Sequence, residues 1–164
     1  MYDATTVEEI TYAKSLNDPT EDKFHGSYDA ILHTFFNTAS GYIVEHQVMG
    51  PGGKPEFIIV RRGGTPSQRN PVIIVELKRP SKWNAAGKQE VLNDLTQYIE
   101  GRLDHTSYSK IYGIGAIGFH WMTCEMPKTG PHVPTVINNW HDDITTAAGY
   151  ALLHTFANTV HNIS

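Results

Sequence analysis

The stretch "PVIIVELKRP" (residues 71–80) decides how the chain is read. Val72 to Leu77 has the apolar, β-branched character of a strand bound for a core, yet Glu76 interrupts it and Lys78 follows. Residues two apart in a strand share a face and stand about 6–7 Å apart. Glu76 and Lys78 therefore point one way, while Val75 and Leu77 point the other. The spacing predicts an apolar post with a carboxylate and an ammonium at its tip.

Upstream, "YIVEHQVM" (42–49) and "EFIIVRR" (56–62) read as strands joined by the turn "GPGGKP" (50–55). "GGTPSQRNP" (63–71) reads as a polar, proline-bounded loop, leaving the third strand at 72–78. Three strands with short links predict an antiparallel meander. Glu56, at the start of one strand, then meets Glu76 and Lys78 at the end of the next. Two close carboxylates repel unless a cation sits between them. Magnesium takes such oxygen ligands at about 2.0–2.1 Å. A metal there would activate water and offset charge on a phosphoryl group. Lys78 would orient that water or stabilise the developing negative charge. The plainer role of an E-x-K on a strand is a surface ion pair, worth about 0–1 kcal/mol.

Helical patterns flank these strands. Thr6-Val7-Glu8-Glu9 has the form of a capping box, and Val7, Ile10 and Ala13 give a first helix an apolar stripe to about Leu16. Ser27 reads as the N-cap of a second helix carrying Tyr28, Ile31, Leu32 and Phe35, with Gly41 as its stop. Val91, Leu92, Leu95, Tyr98 and Ile99 define a third helix ended by Gly101. "KIYGIGAIGFHWMTCEM" (110–126) reads as a strand that bends or turns into a hairpin at a glycine, and "PKTGPHVP" as a loop. Asp142 or Asp143 would cap a last helix with Ile144, Ala148, Leu152, Phe156 and Val160 on its apolar side. The expected fold is α/β (α+β): a central mixed sheet of four to five strands flanked by helices.

Pro55-Glu56, a strand–loop–strand of about twenty residues, and Glu76-Leu77-Lys78 together resemble the PD-(D/E)XK nuclease superfamily. The apolar residues before both motifs and the helix after the third strand fit the same pattern. The resemblance implies a restriction-endonuclease-like core at about residues 28–126. Residues 1–164 would form one nuclease-like domain, with the N- and C-terminal helices packed on that core. It implies that Glu56, Glu76 and the main-chain carbonyl of Leu77 hold Mg²⁺ or Mn²⁺, and that Lys78 assists attack on a phosphodiester of DNA or RNA. Many members place a glutamine on the following helix, for which Gln89 is the candidate and Gln97 the second, with Asn93 between them. Some use a further acid from an early helix or strand, for which Asp29 and Glu45 are available. This sequence departs from the pattern at Glu56, where aspartate is usual. The extra methylene moves the carboxylate by about 1.5 Å.

Charge is unevenly distributed. Between Lys54 and Lys88 stand eight basic residues and two acids, while the rest of the chain has five basic and fifteen acidic residues. The basic window predicts phosphate contacts through Arg61, Arg62, Arg79, Lys82 and Lys88, with Trp83 as a stacking surface or a helix anchor. The net charge of −4 argues against general nucleic-acid affinity.

Other signals are weaker. "GIGAIG" (113–118) matches a dinucleotide fingerprint, but strand-like "FHWMTCEM" follows it, and close packing against a helix explains the glycines better. His120 and Cys124 lack a second pair with zinc spacing, and His141-Asp142-Asp143 precedes an apolar helix. The single cysteine excludes an intrachain disulfide. No basic-then-apolar leader and no apolar run near ~20 residues is present, so an intracellular protein, cytoplasmic or nuclear, without membrane association is expected. Three functional readings stand: a metal-dependent nuclease, a catalytically weak binding module on the same fold for nucleic acid or a protein partner (toxin- or effector-like), and a homodimer with an incidental E-x-K.

Overall fold

The computed structural model describes residues 1–63 and 68–164. Val72 to Leu77 is buried throughout because its strand, β3 (Gln68–Lys78), runs in the middle of the sheet with helices on both faces. Before it come β1 (Tyr42–His46) and β2 (Phe57–Gly63), and after it β4 (Lys110–Ile117), β5 (His120–Pro127) and β6 (Thr135–His141). The sheet order among the described residues is β1-β2-β3-β4-β5-β6. All neighbours are antiparallel except β3 and β4, which are parallel and joined by α3 (Ala85–Glu100). The remaining helices are α1 (Ala4–Ser15), α2 (His25–Phe35) and α4 (Ala147–His161).

Two apolar layers result. Phe57, Ile59, Ile73, Val75 and Leu77 pack with Ile10, Tyr28, Ile31, Leu32 and Phe156 on the face of α1, α2 and α4. Ile58, Val60 and Ile74 pack with Val91, Leu95 and Ile99 on the face of α3. By strand alternation Glu76 and Lys78 belong to the α3 face. That assignment decides which helix meets the charged tip of β3.

Several boundaries differ from expectation. Among the described residues the sheet has six strands where four to five were expected. "TVINNWH" (135–141) falls outside the expected elements. It forms β6 at the sheet edge, where exposed residues erase the alternation that marks a half-buried strand. β3 begins at Gln68 and runs through Pro71, so the loop expected over 63–71 is strand at 68–71; residues 64–67 lie outside the described residues. A register shift opposite Ile59 and Val60 lets Pro71, which has no N–H, stay in the ladder. The expected strand at 110–126 is the β4–β5 hairpin, turned at Gly118 with a positive φ of 59°.

The caps also move. Asp3, not Thr6, caps α1 by accepting from the Thr6 N–H at 2.8 Å, and Val7 is exposed while Thr6 is buried. α2 starts at His25, and Ser27 inside its first turn donates to the Glu9 carbonyl. α2 ends at Phe35, and Gly41 instead ends a single 3-10 turn. Thr146 caps α4, while Asp143 accepts from Thr145 and pairs with Lys14. α4 buries Leu153, Phe156, Ala157 and Val160 and packs Leu152 partly buried against the same core, so of the expected apolar side only Ala148 is exposed.

Candidate active site

The antiparallel pairing of Phe57 with Val75 places Glu56 opposite Glu76 when the ladder is continued by one residue. On its other edge Glu56 extends the β1–β2 ladder: the Gln47 N–H donates to the Glu56 carbonyl at 3.0 Å, and the Gln47 side chain donates to Glu56 Oε2 at 3.0 Å. His25 Nε2 stands 2.5 Å from the same oxygen, off the axis of a hydrogen bond. The approach to Glu56 is fixed from below. Arg102 donates to the carbonyls of Val48, Pro51 and Gly53, and Gln97 to that of Gly52, pinning the β1–β2 turn to the end of α3.

Glu76 is 3% exposed. Its Oε1 accepts from Lys78 Nζ at 2.8 Å, and its Oε2, shut off from solvent, has no partner among the described residues. Burial pushes its pKa up to about 7; Lys78 opposes that rise, and the nearby charges of Asp94 and Glu56 add to it. Lys78 Nζ also lies 2.8 Å from Asp94 Oδ2 and 3.6 Å from Glu90 Oε1. Burial alone would lower the Lys78 pKa, but hydrogen bonds to Asp94 and Glu76 outweigh it and the ammonium holds its proton more tightly than usual. Glu76 holds its proton chiefly because it is buried, and Lys78 holds its proton because Asp94 and Glu76 hydrogen-bond it. The site is short of positive charge.

Above these residues opens a cleft of 470 Å³ lined by Asp22, His25, Glu56, Lys78, Arg79, Lys82 and Glu90, among others. No group of three or more His, Cys, Asp or Glu converges as a metal cage among the described residues. What the site offers a hard cation is the orphaned Glu76 Oε2, the Glu56 carboxylate opposite it and the backbone at Leu77, whose side chain is buried in the α1–α2–α4 layer. These oxygen donors fit a divalent cation completed by water.

Other expected site residues lie elsewhere. Gln89 is exposed and donates to Asn93, so the helix face toward Lys78 is that of Glu90 and Asp94. Gln97 holds the Gly52 turn. Arg61 donates to the His161 carbonyl at the end of α4, and Arg62 is exposed beside it, both at the far end of β2 from Glu56. Arg69 pairs with Glu45, and Asp29 lies 2.8 Å from His46 Nε2. Lys82 pairs with Glu90 at 2.9 Å on the rim of the cleft. The basic window is therefore partly neutralised within the molecule. Trp83 stacks on His120 at 3.8 Å with Lys88 Nζ 3.8 Å from its ring centroid, an arrangement that anchors the start of α3.

The weaker signals resolve structurally. A Cβ on Gly115 would come within 2.5 Å of Val91 and one on Gly113 within 3.2 Å of Ile99, so these two "GIGAIG" glycines let α3 lie close on β4, while Gly118 makes the hairpin turn. Burial pushes the Cys124 thiol up to about 12. Sequence reasoning missed His25, Gln47, Glu90 and Asp94. Glu90 and Asp94 were within reach: they are four apart beside the Val91–Leu95 stripe, on a helix that returns over β3. His25 and Gln47 carried no local signal.

No protein-family model matches the chain, and no curated protein matches it by sequence. The type IIG restriction endonuclease BpuSI is similar in structure, with a TM-score of 0.51 and 16% identity over 85% of this chain. This chain spans 16% of that enzyme's length. The fold is restriction-endonuclease-like. No helix among the described residues is long and apolar enough to cross a membrane.

Proposed function

We propose that the chain is a divalent-metal-dependent nuclease acting on phosphodiester bonds of DNA or RNA, with residues 1–164 as one nuclease-like domain. Glu56, Glu76 and the Leu77 carbonyl would hold Mg²⁺ or Mn²⁺, which when bound offsets phosphoryl charge and lowers the pKa of its water. The observation that carries this reading is the buried, unpartnered Oε2 of Glu76 opposite a second carboxylate, an arrangement that is costly without a cation. Lys78, kept charged by Asp94 and Glu76, stabilises developing negative charge rather than accepting a proton. Arg79 and Lys82 on the rim take flanking phosphates. Gln89, exposed on another face, has no part in this arrangement.

Incubation with plasmid, single-stranded DNA and RNA, with Mg²⁺, Mn²⁺ or chelator, tests it. Cleavage should need metal and fall about 100-fold or more in Lys78→Ala, the usual effect of removing one charge-stabilising donor. Cutting undiminished in that variant or in chelator would place the chemistry elsewhere. A second reading, a nucleic-acid-binding module without catalysis, is favoured by Asp94 at 2.8 Å from Lys78, which already occupies the ammonium. Metal and nucleic-acid binding without cutting by wild type would support it.

A further inference from the structure

We propose that a second cavity, lined by residues next in the chain to those of the cleft, receives an unstacked nucleobase of the bound strand, a reading that rests on the nucleic-acid role above. The cavity has 430 Å³, within the range of small-molecule sites, and Leu16, Pro19, Pro80 and Phe119 give it apolar walls. Its lining and that of the cleft meet at two points of the chain. Pro19 lines the cavity and Thr20 the cleft; Pro80 lines the cavity and Arg79 the cleft. Lys78 and Pro80 are two residues apart along an extended segment, about 6–7 Å. That is the scale separating a phosphate from its own or a neighbouring base.

The hairpin that floors the cavity is fastened to the strand bearing Lys78. The Gly118 N–H donates to the Lys78 carbonyl at 2.9 Å, and the Tyr28 hydroxyl to the Gly118 carbonyl at 2.8 Å. Charge separates the possible occupants. Lys14 and Asp143 pair at 2.8 Å, leaving Asp18 and Asp142 as the other charged groups of the lining. Carboxylates repel a second phosphate and accept hydrogen bonds from the amino groups of a base. His120, held flat against Trp83, adds a ring nitrogen without a partner among the described residues. A base lodged here has left its stack. The bound strand is therefore single or locally opened, not intact duplex.

The test is binding of phosphorothioate-linked oligonucleotides to the wild-type protein in Mg²⁺, with a single abasic position scanned along the strand. One abasic position should weaken binding about tenfold, the scale of losing one base contact. Leu16→Trp, which fills the cavity from the end of α1, should weaken the intact strand similarly and erase the effect of that abasic position. A fully paired duplex of the same sequence should bind less well than the single strand. Equal binding at all abasic positions, with Leu16→Trp unchanged, would overturn the base pocket while leaving the nucleic-acid reading intact. No binding of any strand would overturn both.

Discussion

Glu76 concentrates the energetics of this protein in one side chain. Its folded pKa is raised to about 7 from 4.5. The stability it contributes is complete below about pH 4.5 and is lost as pH rises through about 7, because the folded chain must then bury a charge that the unfolded chain leaves in water. A shift of this size is worth roughly 3 kcal/mol. In chelator, Glu76→Gln should therefore raise Tm relative to wild type near pH 8 and leave it little changed near pH 4.5. Thermal melts at the two pH values check this, and a gain of the same size at both would contradict it. In the proposed site metal and proton would compete for the same oxygen, so Mg²⁺ affinity in calorimetry should climb as pH approaches and passes about 7, and Glu76→Gln should flatten that profile.

The element that completes the site is α3. Its Val91–Leu95–Ile99 stripe lies close on β4 because Gly115 has no side chain, and that closeness brings Asp94 over Lys78. Gly115→Val would drive branched carbons into Val91, where even a Cβ comes within 2.5 Å. Overpacking of this kind costs about 1–3 kcal/mol. The variant should unfold at lower temperature. Because α3 must lift, its metal affinity should also fall at a temperature where it is fully folded. Unchanged metal affinity would show that α3 does not set the geometry of the site. The β1–β2 turn plays the matching part for Glu56, tied by Arg102 and Gln97 to the other end of the same helix.

At the scale of the whole molecule, acidic charge governs approach to the cleft. Glu21, Asp22, Glu56 and Glu90 line it against Lys78, Arg79 and Lys82, and the chain carries a net charge of −4. A polyanion should bind poorly until a divalent cation is added. With about two to three phosphate contacts available, log K should then fall against log salt with a slope of about −1.4 to −2.7, taking single- and double-stranded cases together. A much steeper slope in filter-binding or anisotropy titrations would mean a wider basic surface than the cleft provides.

The amino-acid order alone suffices to read β3 as a buried strand ending in Glu76 and Lys78, β1, β2 and β3 as a meander, and Gly113 and Gly115 as packing glycines. These follow from periodicity along a few neighbouring residues, which local chemistry dictates. β6 and the passage of β3 through Pro71 escaped because an edge strand and a register shift leave no clean alternation. That Asp94 and Glu90 meet Lys78, that His25 and Gln47 meet Glu56, and that Gln89, Arg61 and Arg62 stand apart emerges from the folded chain alone. Those relations depend on which helix face returns to which end of the sheet. The packing of two apolar layers sets that geometry, and no local spacing encodes it.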